Sequence, residues 1–182
     1  MFACFVVLVL GRAVMLRRQG VRVMVFGVTD KTDFILAPFM LALIYVVLAN
    51  TFGWPVWGVL THRFWASVIP GWVGLALGAG GLAFFVYTLW SFGASFRVGI
   101  DAGDPGKLVT SGAFGLSRNP LYVCFFLGFC GLVLVHCNLM ITAAVVAFAL
   151  VIHRQVLREE KFLARHYGSA FDAYRSKVRR YL

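Results

Sequence analysis

Charge is what this sequence has least of. Only 13% of its 182 residues are charged and 61% are hydrophobic, against about 25% and about 45–50% in an ordinary soluble domain. That balance excludes a soluble globular protein and points to an integral-membrane chain. Cysteine is sparse and badly spaced: Cys4, Cys124, Cys130 and Cys137 all fall in or beside apolar segments and none forms a C-x-x-C pair. The spacing argues against a metal site or a disulfide framework and leaves the cysteines as small core residues. "GAGG" is no dinucleotide fingerprint, because no strand precedes it. "DAGDPG", Asp101 to Gly106, is too short and too poor in ligands for a calcium loop and reads as a plain turn.

Basic side chains are the exception to the scarcity, and they give a net charge of +10. They lie in juxtamembrane blocks rather than on one soluble face, so anionic lipid headgroups, not nucleic acid, are the expected partner. Met1 to Leu16 is apolar but interrupted by Arg12 and followed by Arg17, Arg18 and Arg22. A signal peptide carries its positive charge before the apolar region, so this order favours a short first span. Phe34 to Phe52 reads as a second span, closed by Gly53, Trp54, Pro55 and Trp57. Trp65 to Trp90 is a third, and its Gly74-x-x-x-Gly78 spacing with Gly80 and Gly81 reads as close helix packing. After a polar loop from Ser91 to Asn119, the segments Leu121–His136 and Leu139–His153 are separated only by Cys137 and Asn138. So short a joint makes a helical hairpin. Each arm is about 15 residues, roughly 23 Å at 1.5 Å per residue, short for a hydrocarbon core of about 30 Å.

The predicted architecture is therefore an all-α integral-membrane protein of about five spans. It includes a carboxyl-terminal hairpin and is followed by a cytoplasmic amphipathic helix. Residues 1–90 form the amino-terminal spans and 91–182 the loop, hairpin and tail, within one compact domain. Lysines and arginines number five between Gly11 and Asp33, one between Gly53 and Trp65, three between Ser91 and Asn119, none at the hairpin tip and eight after His153. Alternate connections are basic, which places the 91–119 loop and the carboxyl tail together in the cytoplasm. Within residues 154–178, Leu163, Tyr167, Ala170, Tyr174 and Val178 fall on one face of a helix. The plain reading is an interfacial helix on anionic lipid. Phe92, Phe96 and Arg97 read as an interfacial lid, with Arg97 alternatively against a substrate headgroup.

Glu159 and Glu160 resist the plain reading, since adjacent carboxylates beside phosphates need a cationic partner. The hairpin brings them to the same end as Arg118 and Asn119. Pro120 suits a first helical position, so the helix beginning near Leu121 presents free N–H groups suited to an anion. An anion receptor facing a carboxylate pair would hold a zwitterion. Arg118 taken alone is an interfacial anchor; paired with the glutamates it is a ligand group.

"LVTSGAFGLSRNPLYVCFFLG" followed by "HRQVLREEKFLARHYGSAFDAYRSKV" resembles the carboxyl-terminal signature of the isoprenylcysteine carboxyl methyltransferase family. These are membrane enzymes that use S-adenosyl-L-methionine and are related more distantly to phospholipid N-methyltransferases. The likeness covers roughly Trp90 to Val178. It implies a cofactor held against Lys107, Leu108, Val109, Phe114, the Asn119-Pro120-Leu121-Tyr122 turn and Glu159; read as a cofactor clamp, the site adds Glu160 as a weaker contact and Arg118 as the group that closes the pocket. The family's commonest form has His at Asn119 and Tyr at Phe114. Asn positions a ligand but does not titrate. An arginine associated with the prenyl-cysteine substrate is Gln155 here, leaving Arg154 and Arg158 as its substitutes.

The implied reaction is methylation of a carboxylate on a lipophilic, isoprenylcysteine-like acceptor. A carboxylate is ionised at pH 7, so this needs an arginine to aim it and no general base. The alternatives are N-methylation of a phospholipid or other small amphiphile, which needs a base, a sterol-reductase-like reaction on a related scaffold, and a non-catalytic membrane-packing protein. Membrane lipids and the lipophilic acceptor are the expected partners. The sequence sets no oligomeric state.

Overall fold

The computed structural model describes residues 2–18, 36–55, 57–93 and 107–182. Among them the chain is all helical: α1 Phe2–Arg18, α2 Leu36–Phe52, α3 Gly58–Thr61, α4 Ile69–Phe92, α5 Ala113–Leu116, α6 Pro120–His136, α7 Leu139–Tyr167 and α8 Ser169–Arg175. Two of these, α4 and α7, are long and apolar enough to cross a membrane, and the segments Pro38–Phe52 and Pro120–His136 are shorter apolar helices. The expected lid residues Phe96 and Arg97 and the turn Asp101–Gly106 lie outside the described residues, as do Phe34 and Arg22.

Each boundary has a local cause. The third apolar segment begins as helix at Ile69, not Trp65, because Pro70 favours the first turn. It ends at Gly93, whose φ of +54° suits glycine far better than an L side chain. The α6–α7 joint is the expected one: Cys137 adopts a left-handed conformation and Asn138 accepts a hydrogen bond from the Ile141 N–H as helix cap.

Glycine sets the closest approach. A Cβ on Gly74 would stand 2.6 Å from the Gly131 carbonyl oxygen, and one on Gly131 would stand 2.5 Å from the Gly74 oxygen and 3.2 Å from the Gly78 nitrogen. One on Gly81 would meet Cys124 and Leu127 at 3.1 Å. The α4 and α6 backbones therefore touch along a shared seam, the packing expected for small residues where lipid supplies no hydrophobic drive between helices. Gly80 is a correction: a Cβ there meets nothing within 4 Å, because it lies off the seam. Cys130 is another, exposed where Cys124 and Cys137 are buried. On the other side of the hairpin, Leu43 of α2 packs with Ile141, Val145, Phe148, Ile152 and Val156 of α7 in an apolar core.

The polar tail is not one amphipathic helix. α7 runs unbroken for 29 residues, about 44 Å, so the last apolar arm and the first polar turns are one rod. Gly168, at φ +52°, then turns the chain into α8. Leu163, Tyr167, Tyr174 and Val178 do share a face, but they pack on Phe114, Phe171, Leu108 and Val109 instead of facing outward. Ala170 is exposed and Phe171 takes the buried place, because the break at Gly168 shifts the register.

Candidate functional site

The hairpin brings the two halves of the signature together at the end nearest the tail. Pro120 opens α6, and Asn119, just before it, is buried with its side chain turned away from the helix end. Its Nδ2 donates to Glu160 Oε1 at 2.9 Å. One turn into α6, the Tyr122 hydroxyl donates to Glu159 Oε1 at 2.6 Å. The two adjacent glutamates thus take separate partners, since successive residues of a helix point about 100° apart.

Glu160 is buried and saturated. Arg118 Nε and Asn119 Nδ2 donate to Oε1 at 3.1 and 2.9 Å, while Arg118 Nη2 and Arg180 Nε donate to Oε2 at 3.4 and 3.0 Å. A carboxylate offers about four lone-pair sites, and all are taken. The expected gap between an anion receptor and a carboxylate pair is therefore closed in this structure by Glu160 itself. The reason is electrostatic: a buried carboxylate requires counter-charge, and the guanidiniums of Arg118 and Arg180 are both within reach.

Arg118 does not extend to the interface as an anchor. Its side chain is 9% exposed, and besides Glu160 its Nη1 donates to the Arg175 carbonyl at 3.1 Å. Its backbone N–H donates to the Arg179 carbonyl, and Ser117 Oγ and Asn119 Nδ2 both donate to the Arg180 carbonyl. The "SRN" triplet is a socket into which the carboxyl tail is stitched. Tyr181 continues the strap, its hydroxyl 2.7 Å from His153 Nδ1 and its ring edge-on to Phe126.

Glu159 lies in a different setting. Gln155, buried one turn earlier, donates from Nε2 at 3.2 Å, and Arg158 Nη1 donates to Gln155 Oε1 at 3.3 Å. Gln155, at the position where the resemblance expects an arginine, is thus a partner of Glu159. Arg158 is half-buried and tied into this row, whereas Arg154 is exposed.

Farther along α7, Leu108, Val109 and Phe114 form an apolar cluster with Leu163, Phe171 and Tyr174. Phe114 is buried, its ring 4.6 Å from that of Phe92 and its carbonyl accepting from the Tyr174 hydroxyl at 2.7 Å. Burial pushes the Tyr174 hydroxyl up to about 12, with Arg118 lowering it and Glu160 raising it by smaller amounts. The 112–114 turn is keyed to α4: Ser91 Oγ accepts from the Ala113 N–H at 3.0 Å, and a Cβ on Gly112 would stand 2.5 Å from that Oγ. Only glycine fits there. Lys107 is exposed; Leu121 is half-buried against the Phe85–Cys124 core.

Residues 69–170, more than half the chain, match the phospholipid methyltransferase family. The chain belongs to that family. It is also 43% identical over 74 residues to the cobalt-zinc-cadmium resistance protein CzcN of Cupriavidus metallidurans, a match covering 40% of this chain and 32% of that protein. The chain spans about a third of the length of that curated relative. The family match takes in α4, the 107–119 segment, the hairpin and both glutamates, whereas Tyr174, Arg175, Arg180 and Tyr181 lie beyond it.

The sequence points to both helix ends but not to Arg180 or Tyr181, and it singles out Gln155 only as a replaced arginine, not as a partner of Glu159. Gln155 stands four residues before Glu159, a spacing at which helical side chains meet, and that signal was available. Nothing local marks Arg180, because its contact requires the chain to reverse after α8.

Proposed function

We propose that this chain is an integral-membrane, S-adenosyl-L-methionine-dependent methyltransferase acting on an amphiphile, with five spans and with the 107–119 segment and the tail on the cytoplasmic side. The observation that carries the reading is the closure of two distant sequence segments on one another, Tyr122 on Glu159 and Asn119 on Glu160. Family membership supports the class of reaction. The donor set fits the cofactor: a carboxylate for its cationic groups, a row of amide and hydroxyl groups, and an apolar wall of Leu108, Val109 and Phe114 for the adenine.

When bound, the cofactor supplies an electrophilic methyl on a sulfonium. The protein's residues bind, orient and exclude water. Glu159 holds positive charge, and Tyr122 and Gln155 fix its orientation through hydrogen bonds. Asn119 and Pro120 set the turn, and Phe114 and Tyr122 provide the planar faces. Glu160 acts one step back, locking Arg118, Asn119 and the tail so that the turn keeps its shape. Methyl transfer from a sulfonium to a carboxylate removes two charges at once, so a low-dielectric site lowers the barrier. Arg158 is tied to Glu159 through Gln155, and Arg154 stands one turn earlier on the same helix. The favoured acceptor is a lipophilic carboxylate of the isoprenylcysteine type; a phospholipid or other amphiphilic amine is the second, favoured by the family's own description.

Purified protein in detergent should bind radiolabelled S-adenosyl-L-methionine and transfer label to a lipid extract. Alkaline hydrolysis then separates the acceptors, because a methyl ester releases volatile labelled methanol and an N-methyl group does not. Absence of cofactor binding to the folded protein defeats the reading.

A further inference from the structure

Arg12 interrupts the apolar first helix, and nothing in the site described so far uses it. Its Nη2 donates to the Gly93 carbonyl at 2.8 Å, at the carboxyl end of α4. Its Nη1 lies 3.6 Å from the Met15 thioether, a weak acceptor on an exposed side chain. Its Nε is buried with no hydrogen-bond partner. Among the described residues no carboxylate pairs with it.

A guanidinium held within an apolar helix and lacking a counter-ion among the described residues is costly, and a charged residue inside an apolar span is a binding-site or pathway candidate by default. A lipid anchor would extend toward phosphates; Arg12 turns to the end of α4 instead. A mere tie between α1 and α4 would need one N–H, which glutamine or lysine supplies with less desolvation. The five-donor fork exceeds that task and matches a carboxylate or phosphate.

The location agrees. Gly93 follows Phe92, whose ring is packed on Phe114. Ala13, next to Arg12, is in one apolar cluster with Phe85, Leu89 and Cys124, flanked by Leu8, Phe84, Phe92, Leu121 and Phe125. Leu121 adjoins Tyr122 in the turn that faces Glu159. A cation therefore sits at the edge of an apolar wall shared with the candidate site, with its Nη1 edge toward the exposed surface of α1.

We propose that Arg12 is the receptor for an anionic headgroup on the amphiphilic acceptor, a carboxylate or a phosphate, whose apolar part lies along the α1–α4–α6 wall. This rests on the reading of the chain as an enzyme acting on an amphiphile, and it makes α1 a specificity element of the site.

The test is equilibrium binding of three radiolabelled probes to the purified full chain in uncharged detergent: N-acetyl-S-farnesylcysteine, its methyl ester, which lacks the charge, and dodecyl phosphate. Wild type should prefer the acid over its ester by roughly 10- to 100-fold. Arg12→Gln should abolish that preference and leave S-adenosylhomocysteine affinity and the unfolding temperature within error. Arg12→Lys should keep part of it, and Arg17→Gln, an exposed charge on the same helix, should keep all of it. Stronger binding of dodecyl phosphate than of the acid assigns a phosphate headgroup, and the reverse a carboxylate. Equal acid preference in Arg12→Gln and wild type, no preference in wild type, or an equal loss in Arg17→Gln overturns the proposal. So does loss of cofactor binding together with thermal stability in Arg12→Gln, which marks a structural tie. An Arg12-dependent preference without methyl transfer leaves the anion site standing and defeats the methyltransferase reading; methyl transfer with no Arg12 dependence does the opposite.

Discussion

The two ends of the α6–α7 hairpin solve the same problem with different chemistry. At the tip, Asn138 Nδ2 donates to Asn50 Oδ1 at 2.6 Å, Asn50 Nδ2 and His136 Nδ1 share a hydrogen bond at 2.7 Å, and the Phe64 N–H donates to the Cys137 carbonyl at 2.7 Å. The charged member there, Arg63, is exposed and reaches Cys137 Sγ at 3.3 Å. At the tail end, a carboxylate and a guanidinium are each 9% exposed. Neutral amides hold two helices together cheaply. Buried ions do not, since desolvation consumes most of their attraction. The tip has the chemistry of a clamp, and the tail end has the chemistry of a site kept charged for another reason.

The sharpest test of that contrast removes one ion. Glu160→Ala leaves Arg118 buried without its counter-charge and should cost about 3–5 kcal/mol, read as a lowered unfolding temperature and as early proteolytic loss of the tail beyond Arg175. Arg118→Lys keeps the charge but loses the fork that reaches both Glu160 oxygens, and should loosen the same tail by less. An unchanged tail in both variants would return "SRNP" to the role of a lipid anchor.

Glu159→Ala should behave in the opposite way. Cofactor affinity should fall roughly 10- to 150-fold, the loss of a charge-assisted hydrogen bond worth about 1.5–3 kcal/mol, while stability changes less than in Glu160→Ala. Titration with S-adenosylhomocysteine beside thermal unfolding separates the two glutamates; equal affinity in Glu159→Ala and wild type removes Glu159 from the site.

At the tip, Asn138→Ala deletes a helix cap and the bond to Asn50 and should cost about 1–3 kcal/mol of stability. Cofactor affinity should be unchanged. A fall in affinity comparable to that of Glu159→Ala means that the two ends are coupled and the contrast fails.

The smallest effect is alkaline. Burial raises the Tyr174 hydroxyl from 10 to about 12, so the folded protein keeps a proton that the unfolded chain releases. The stabilisation is complete below pH 10 and is lost as pH rises from 10 toward 12. Tyr174→Phe should flatten stability over that interval, at the expense of the hydrogen bond to the Phe114 carbonyl.

Much of this was legible residue by residue. Pro120 marked the start of α6, and the two-residue joint at Cys137 and Asn138 forced the hairpin, which carried Arg118 and Asn119 toward Glu159 and Glu160. The Gly74–Gly78 spacing marked the α4–α6 seam. The fate of Glu160 was not legible, because a pair of neighbouring glutamates looks alike in sequence and differs only in which neighbour each side chain meets. In sequence the tail reads as a surface helix because its apolar face has the same periodicity whether it meets lipid or Phe114.

What the sequence by itself determined is what depends on neighbours along the chain: the apolar segments, their breaks at proline and glycine, the hairpin, and the end of the molecule at which charge collects. Those follow from backbone conformation and hydrophobic periodicity, which are local. What only the tertiary structure decided is how the charges pair. Glu160 is filled by Arg118, Asn119 and Arg180, Glu159 is held by Tyr122 and Gln155, and Arg12 is placed at the end of α4 with no carboxylate on it among the described residues. Apart from Gln155, four positions from Glu159, these partners stand 20 to more than 80 positions apart. Electrostatic attraction in a low-dielectric interior falls with separation in space, and position along the chain does not set that separation.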